Sequence, residues 1–314
     1  MKKSLQQRRI GIISAHRSER GLLNPIMIEL QRRNDVKAEW CEIIPNQYED
    51  NLIKFKDFLN NFSPHLILVP TDRNEAVYIA AHAFHEGYII AHFHAGNLGS
   101  LHPDEINRRV ISCFSHILFC NTEKDKKNLI KLGEEEWRCF VVGSTAFDEV
   151  IPDKSLCPNQ PYDLVLLHPD PISKETTFKD LTKTISVISK PRFKSMFVVW
   201  LHPNKDVNHE VIDGFLNSGQ LKDFKNNFQI RGDLPRAQFL GLLKNCLRFI
   251  GNSSTICYEA PFFGVQTIRI RKRNMKREKI TPIIGGAKKI ADILTTIEIN
   301  SRLRRKKFCL LKKI

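Results

Sequence analysis

Residues 251–264 read GNSSTICYEAPFFG. An apolar run at Leu247–Ile250 leads in, a second at Val265–Ile270 leads out, and Ile256, Ala260 and Phe263 between them keep helical spacing. The stretch predicts strand, tight turn, helix, strand. Gly251 permits a sharp turn, and Asn252, Ser253 and Ser254 are side chains that cap helix N-termini. Unbonded N–H groups at a helix start, beside small hydroxyls, form a seat for phosphate. Glu259 falls roughly one and a half turns into that helix. A carboxylate there accepts hydrogen bonds from ribose hydroxyls if a nucleoside diphosphate rests on the turn. An ordinary capped helix with a surface glutamate is the alternative.

Working outward, 314 residues provide for two domains with a core each. No apolar run approaches bilayer length, and the opening MKKSLQQRRIGIIS is too poor in apolar residues for a secretion signal. A cytoplasmic protein is expected. The eight cysteines include no C-x-x-C pair, and Cys113, Cys120 and Cys257 lie in apolar runs as small hydrophobes. Neither a disulfide framework nor a zinc knuckle is expected. The formal charge of +15 points to nucleic acid only until it is located. Residues 269–314 carry 16 basic and 3 acidic side chains, a net of +13, and the rest of the chain carries only +2. No specific nucleic-acid partner is therefore expected. Part of the excess, Arg271–Arg277 with Arg273 and Arg277, lies just past the proposed phosphate turn, where cations suit a pyrophosphate. The remainder, residues 301–314, reads as a basic tail with no partner assigned.

The rest of the chain alternates strand and helix. Arg9–Ala15 predicts the first strand. It ends in His16-Arg17-Ser18-Glu19-Arg20-Gly21 before a helix with Leu22, Leu23, Ile26, Ile28 and Leu30 on its apolar positions. Strands at Ala38–Ile44 and Leu66–Val69 flank a helix at Asp50–Phe62. Asp72, after the third strand, reads as an N-cap or a functional acid. Ile89–Phe93 leads into His92-Phe93-His94, where His92 and His94 are expected to share a strand face. Pro103 and two acids suit the start of the next helix. A metal site on His92, His94 and Asp104 is conceivable, but no metal is expected. Gly143-Ser144 ends a later strand, with a backbone flexible enough to border a ligand. Pro152–Pro161, with three prolines and no periodicity, reads as a linker between residues 1–151 and 162–300. Beyond it, His168 and Asn204 also fall at strand ends, as do Ser253 and Ser254. This alternation predicts doubly wound parallel sheets with ligand groups at their carboxyl edges.

Together these motifs resemble the UDP-N-acetylglucosamine 2-epimerase family. The landmarks are AHRSERGLLNPIM (15–27), TDRNEA (71–76), HFHAGN (92–97), PDEINRR (103–109), VVGSTAFD (141–148), LHP (167–169), HPNKD (202–206) and the opening stretch. The resemblance implies two Rossmann-like domains facing across a cleft, a glycosyltransferase-B-like fold. It also implies elimination of UDP from UDP-N-acetylglucosamine, then re-addition of UDP or water with inversion at C2. HRSERGLLNP and GNSS resemble the hydrolysing branch more closely, and PDEINRR the UDP-returning one. No cofactor is implied, and a homo-oligomer is expected.

By motif match, Asp72 is an acid or base, Asp104 a second carboxylate, and Arg108 and His168 partners of the diphosphate or of an acid. Arg17, Ser253 and Ser254 would hold phosphate, Glu259 the ribose and Asn204 the nucleotide region. The chain departs from the family where His94 replaces a catalytic glutamate and where 269–277 lacks the usual glycines. The stretch before Asp72 is also shortened. A glycosyltransferase of the same build and a non-catalytic nucleotide-binding relative are the alternatives.

Overall fold

The computed structural model describes residues 7–14, 17–45, 47–98, 103–148, 151–190, 196–221, 228–232, 234–271 and 284–308. The chain forms two compact units. In the first, β1 (Arg8–Ser14), β2 (Val36–Glu42), β3 (Leu66–Val69), β4 (Ile89–Phe93), β5 (Ile117–Cys120) and β6 (Cys139–Val141) make one parallel sheet in the order β2-β1-β3-β4-β5-β6. They are joined through α1 (Arg17–Gln31), α2 (Tyr48–Phe62), α3 (Asn74–His85), α4 (Pro103–Phe114) and α5 (Glu123–Lys131). Side chains alternate across a strand, so each strand feeds two cores. Ile10, Ile12, Leu66 and Leu68 meet Leu23, Ile26 and Leu30 of α1 on one face. Ile13, Ile67, Val69 and Ile90 meet Phe55 and Leu59 of α2 and Ile79 and Ala83 of α3 on the other.

The second unit repeats the plan. Its strands β7 (Tyr162–Leu166), β8 (Phe197–Leu201), β9 (Phe228–Arg231), β10 (Arg248–Gly251) and β11 (Gln266–Arg269) are parallel in the order β11-β10-β7-β8-β9. Its helices are α6 (Lys174–Ile188), α7 (Glu210–Asn217), α8 (Arg236–Asn245) and α9 (Glu259–Phe262). Arg248 spans two neighbouring strands, donating from Nε and Nη2 to both oxygens of the fully buried Asp163 at 2.8 Å each. Each unit is thus a doubly wound sheet of the class expected from the sequence. Each strand order reverses once, between β1 and β3 in the first sheet and between β7 and β10 in the second. Loops diverge at such switch points and leave a crevice at the carboxyl ends of the strands.

Two features differ from the sequence reading. Helices α10 (Gly286–Thr296) and α11 (Ser301–Arg304) pack on the first unit, whereas residues 162–300 were read as one rear domain. Ala287, Ile290, Ala291 and Leu294 join Ile10, Ile12, Leu23 and Ile26 in a single core, and Asp148 caps α10 by accepting from Gly285 N–H at 2.8 Å and Ala287 N–H at 2.7 Å. An apolar stripe gives a helix, but not which core will cover it. Asp148 closes the GSTAFD motif, whose first residues were read as bordering a ligand. The linker stretch, in turn, packs on the second unit. Asp153 N–H donates to Ala237 O at 2.8 Å, and Leu156 and Cys157 lie against its core. Among the described residues no helix is long and apolar enough to cross a membrane.

Candidate active site

The first switch point collects charged side chains around Asp72. Helix α4 places Arg108 against β3's end, where it is 5% exposed; its Nη2 donates to Asp72 Oδ2 and its Nη1 to the Asn97 carbonyl at 2.5 Å. Asn107, the preceding residue, donates to the Asp72 carbonyl at 3.0 Å and to Asn74 Oδ1 at 2.7 Å. Thr71 Oγ1 lies 3.0 Å from Asp72 Oδ1 and 3.3 Å from Glu19 Oε1. The Asp72 side chain keeps 18% of its surface exposed, so it is fixed on both oxygens yet open to a ligand.

His92 holds this loop from below. Fully buried, it contacts the Thr71 carbonyl through Nε2 at 2.8 Å and Ser112 Oγ through Nδ1 at 2.9 Å. A carbonyl only accepts, so Nε2 carries the hydrogen and Nδ1 accepts from Ser112. Burial outweighs the Thr71 bond and drives the ring's pKa down to about 3, so it stays neutral. His92 is therefore a strut. His94 does not share its face: β4 ends at Phe93, and His94 turns at φ 60°, stacked on the Phe93 ring with centroids 4.0 Å apart. Asp104 is half-buried in the first turn of α4, one turn before Arg108 and on the same helix side. Arg17 opens α1, with its side chain outside what is described.

The second switch point is held by Asn252. Its Oδ1 accepts from His168 N–H at 2.7 Å and its Nδ2 donates to the His168 carbonyl at 2.9 Å, tying β10's end to β7's end. This spends the His168 backbone on the fold and leaves its half-buried ring at the sheet edge. Gly251 is required there, because an added β-carbon would meet the Leu166 carbonyl oxygen at 1.9 Å. Ser253 Oγ accepts from Thr255 N–H at 3.3 Å and donates to Thr255 Oγ1 at 3.1 Å, which caps a short 3-10 turn at Ser254–Ile256. The single helix expected across 254–263 is in fact this turn followed by the four-residue α9. Glu259 thus opens α9 and lies 7% exposed, its Oε1 accepting from Arg236 Nη2 at 3.0 Å. Arg236 was not singled out from the sequence; nothing in its spacing marks it.

Asn204 follows β8, half-buried, its carbonyl accepting from Asp206 N–H at 2.8 Å. Beside it Asp213 accepts from His202 at 2.6 Å and His209 at 2.7 Å. Arg271, read as a diphosphate cation, pairs instead with Asp170 and, at 3.8 Å, with Asp180. Burial raises the Asp170 carboxyl, but the Arg271 bond and the Ile172 and Ser173 N–H groups more than offset it, holding it below the usual range. Arg273 and Arg277 lie outside the described residues. The structure therefore gathers Asp72 and Arg108 in one unit, and His168 and the Gly251–Ser254 turn in the other. Among the described residues no group of His, Cys, Asp and Glu is arranged to hold a metal.

The family model described as UDP-N-acetylglucosamine 2-epimerase matches residues 36–307. A UDP-N,N'-diacetylbacillosamine 2-epimerase (hydrolyzing) from Legionella pneumophila is 27% identical over 287 residues, 80% of this chain and 72% of that protein. The GDP/UDP-N,N'-diacetylbacillosamine 2-epimerase (hydrolyzing) of Campylobacter jejuni is 26% identical over 265 residues, 81% of this chain and 67% of that one. Among solved structures, the UDP-GlcNAc 2-epimerase of Neisseria meningitidis bound to UDP-GlcNAc shares the fold at a TM-score of 0.69 and 18% identity, over 84% of this chain and 82% of that one. That of Methanocaldococcus jannaschii, in complex with UDP-GlcNAc and UDP, does so at 0.67 and 21%, over 96% and 95%.

Proposed function

The chain belongs to the UDP-N-acetylglucosamine 2-epimerase family, and on that premise we propose that it converts UDP-N-acetylglucosamine and water to N-acetylmannosamine and UDP, inverting C2. The observation that carries the reading is the Asp72 carboxylate, fixed by Arg108 and Thr71 at a switch point with part of its surface open. The water-adding outcome is supported by the two relatives named as hydrolyzing.

In the reaction, Asp72 takes the proton from C2 while UDP leaves with the C1–O electron pair, and a C1–C2 double bond forms. Water then adds at C1 and a proton returns to C2 on the opposite face. Removal and return on opposite faces call for two proton carriers. His94 and Asp104 are the candidates for the second, on the elements flanking Asp72. The Gly251–Ser254 turn takes the diphosphate with His168 beside it, Glu259 takes the ribose, and Asn204 the nucleotide side. Arg17, Arg273 and Arg277 add charge where negative charge develops on the leaving pyrophosphate.

Proton NMR with UDP-N-acetylglucosamine in deuterated water tests this. The expected record is UDP release, N-acetylmannosamine as sugar product and deuterium at its C2. UDP release with protium retained at C2 would overturn it. Asp72→Asn lowers kcat by roughly 10²–10⁴-fold with UDP binding, followed by calorimetry, largely kept. The names of the two relatives favour a second reading, in which the same chemistry acts on UDP-N,N'-diacetylbacillosamine. A parallel tube with that sugar separates the two.

A further inference from the structure

The basic run that begins at Ser301 has no place in the reaction, yet the fold gives it a definite position. Arg8, which starts β1, donates from Nη1 to the Thr295 carbonyl at 2.7 Å and from Nη2 to the Ile297 carbonyl at 2.6 Å. Arg304 Nη1 donates to the Gly87 carbonyl, just before β4, at 3.0 Å. Arg138, just before β6, donates to the Arg302, Leu303 and Arg305 carbonyls, and Phe308 forms an antiparallel bridge with Glu134. All these partners stand at the start of strands in a parallel sheet. Residues 295–308 therefore lie across the amino ends of the strands, from β1 to β6. Asp72 and Asn97 follow the carboxyl ends of β3 and β4. The four residues of β3, at ~3.3 Å each, set the two edges roughly 13 Å apart.

The segment is tied down largely through its carbonyls, which leaves its cations outward. Arg302, Arg304, Arg305 and Lys307 are exposed, whereas Lys306 turns in and meets Glu134 at 2.8 Å. Arg302 lies over the half-buried Trp137 ring, 4.5 Å from its centroid, and Lys131 is exposed at the end of α5. Of the nearby acids, Glu135 is taken by Arg138 and Glu136 by Lys126, and Glu86 and Glu298 face the cationic run. Two apolar side chains open to solvent join it. Phe308 is 52% exposed and Leu132 44% exposed, brought to one loop by the bridge at Glu134. The residues that follow, CLLKKI (309–314), lie outside the described part and in sequence keep the same mixture of lysine and apolar residues.

Cations alone suit any polyanion. Cations mixed with apolar side chains and a tryptophan suit the interface of an anionic bilayer, where headgroups take the charge and the acyl boundary takes the apolar tips. A nucleic acid would stack on Phe308 but offer Leu132 nothing. We propose that the amino edge of the first sheet is a docking surface for anionic lipid, met peripherally, with the Asp72 end of that sheet turned away from the bilayer. The inference does not depend on the 2-epimerase reading.

Co-sedimentation tests it, with vesicles of phosphatidylcholine alone and vesicles of phosphatidylcholine and phosphatidylserine in a two-to-one mixture. The unmodified protein is expected to pellet with the mixed vesicles and not with the neutral ones, and to come off as salt rises. Changing Arg304→Ser, Arg305→Ser and Lys307→Ser together spares the backbone bonds to Arg138 and should weaken partition roughly 100-fold. Phe308→Ser should weaken it about 10-fold at unchanged charge. Urea midpoints of both variants close to that of the unmodified protein assign those losses to the surface itself. The comparison of the two vesicles needs neither a variant nor turnover, so its result stands apart from the reaction reading. Equal pelleting with both kinds of vesicle, or none with either, overturns the proposal, as does a triple variant that partitions like the unmodified protein. Tighter binding to a mixed-sequence RNA strand than to the mixed vesicles at the same salt overturns it in favour of nucleic acid.

Discussion

A β-carbon on residue 251 would sit 1.9 Å from the Leu166 carbonyl oxygen, and that oxygen belongs to the neighbouring strand. Backbone cannot swing aside as a side chain does, so Gly251→Ala forces β7 and β10 apart at the second switch point. A loss of about 3 kcal/mol is expected, read as a lower urea midpoint. His94, like Ser63, is a non-glycine residue of the first unit at positive φ, 60° in its case, and it lies directly after the strand that carries His92. Residues held in this region cost about 1–3 kcal/mol and cluster at functional sites. The sequence motif placed His94 near the site; its left-handed turn came from the fold.

At the level of strands and helices, buried neutral histidines make the first sheet sensitive to acid. His92 is shifted down to about 3 and His116 to about 4, chiefly by burial. His116 Nδ1 accepts from Ile90 N–H at 3.2 Å, which a proton there would abolish. Because both folded-state values are depressed, the unfolded chain binds these protons first. The stability they support is complete above pH ~6.5 and declines as pH falls toward 4. At pH 5 each contributes a loss of roughly 2 kcal/mol, and urea titrations between pH 7 and 5 should show the midpoint falling. His92→Gln should flatten the part of that fall that belongs to His92.

The strands themselves were legible. Leu66–Val69 and Ile89–Phe93 coincide with the expected limits, since short apolar runs between turn residues have few other homes. Glu19 was not legible. An acid in a first helical turn already has a sufficient reason in the helix dipole, and only the approach of β3's end gives it Thr71. Arg271 shows the opposite error: a cation near a proposed anion seat was read as waiting for a ligand, while Asp170, about 100 residues earlier in the chain, already neutralises it.

For the whole molecule, the described C-terminal residues act as a clasp on the first unit. Arg138, fully buried, donates all five N–H groups. Nε serves Glu135, Nη1 the His116 and Leu303 carbonyls, and Nη2 those of Arg302 and Arg305. Lys306 donates to the Ser112 carbonyl at 2.5 Å, the Ser115 carbonyl at 2.7 Å and Glu134 Oε1 at 2.8 Å, closing the end of the helix that bears Asp104 and Arg108. Lys306→Met leaves Glu134 buried with an uncompensated charge and should cost about 3–5 kcal/mol. Adding Glu134→Leu should return much of that in urea melts; equal losses in the single and double variants would count against the pairing.

The second unit is, in chain order, an insertion between β6 and α10 of the first. During translation the inner body emerges complete while the outer one still shows Ile10, Leu23 and Ile26 without their covering helices. At ~5–20 residues per second the 155 residues from the end of β6 at Val141 to the end of α10 at Thr296 take roughly 8–30 s. Nascent chains stalled with Thr281 just outside the ribosome should therefore hold a protease-resistant middle and a beginning that still binds chaperones.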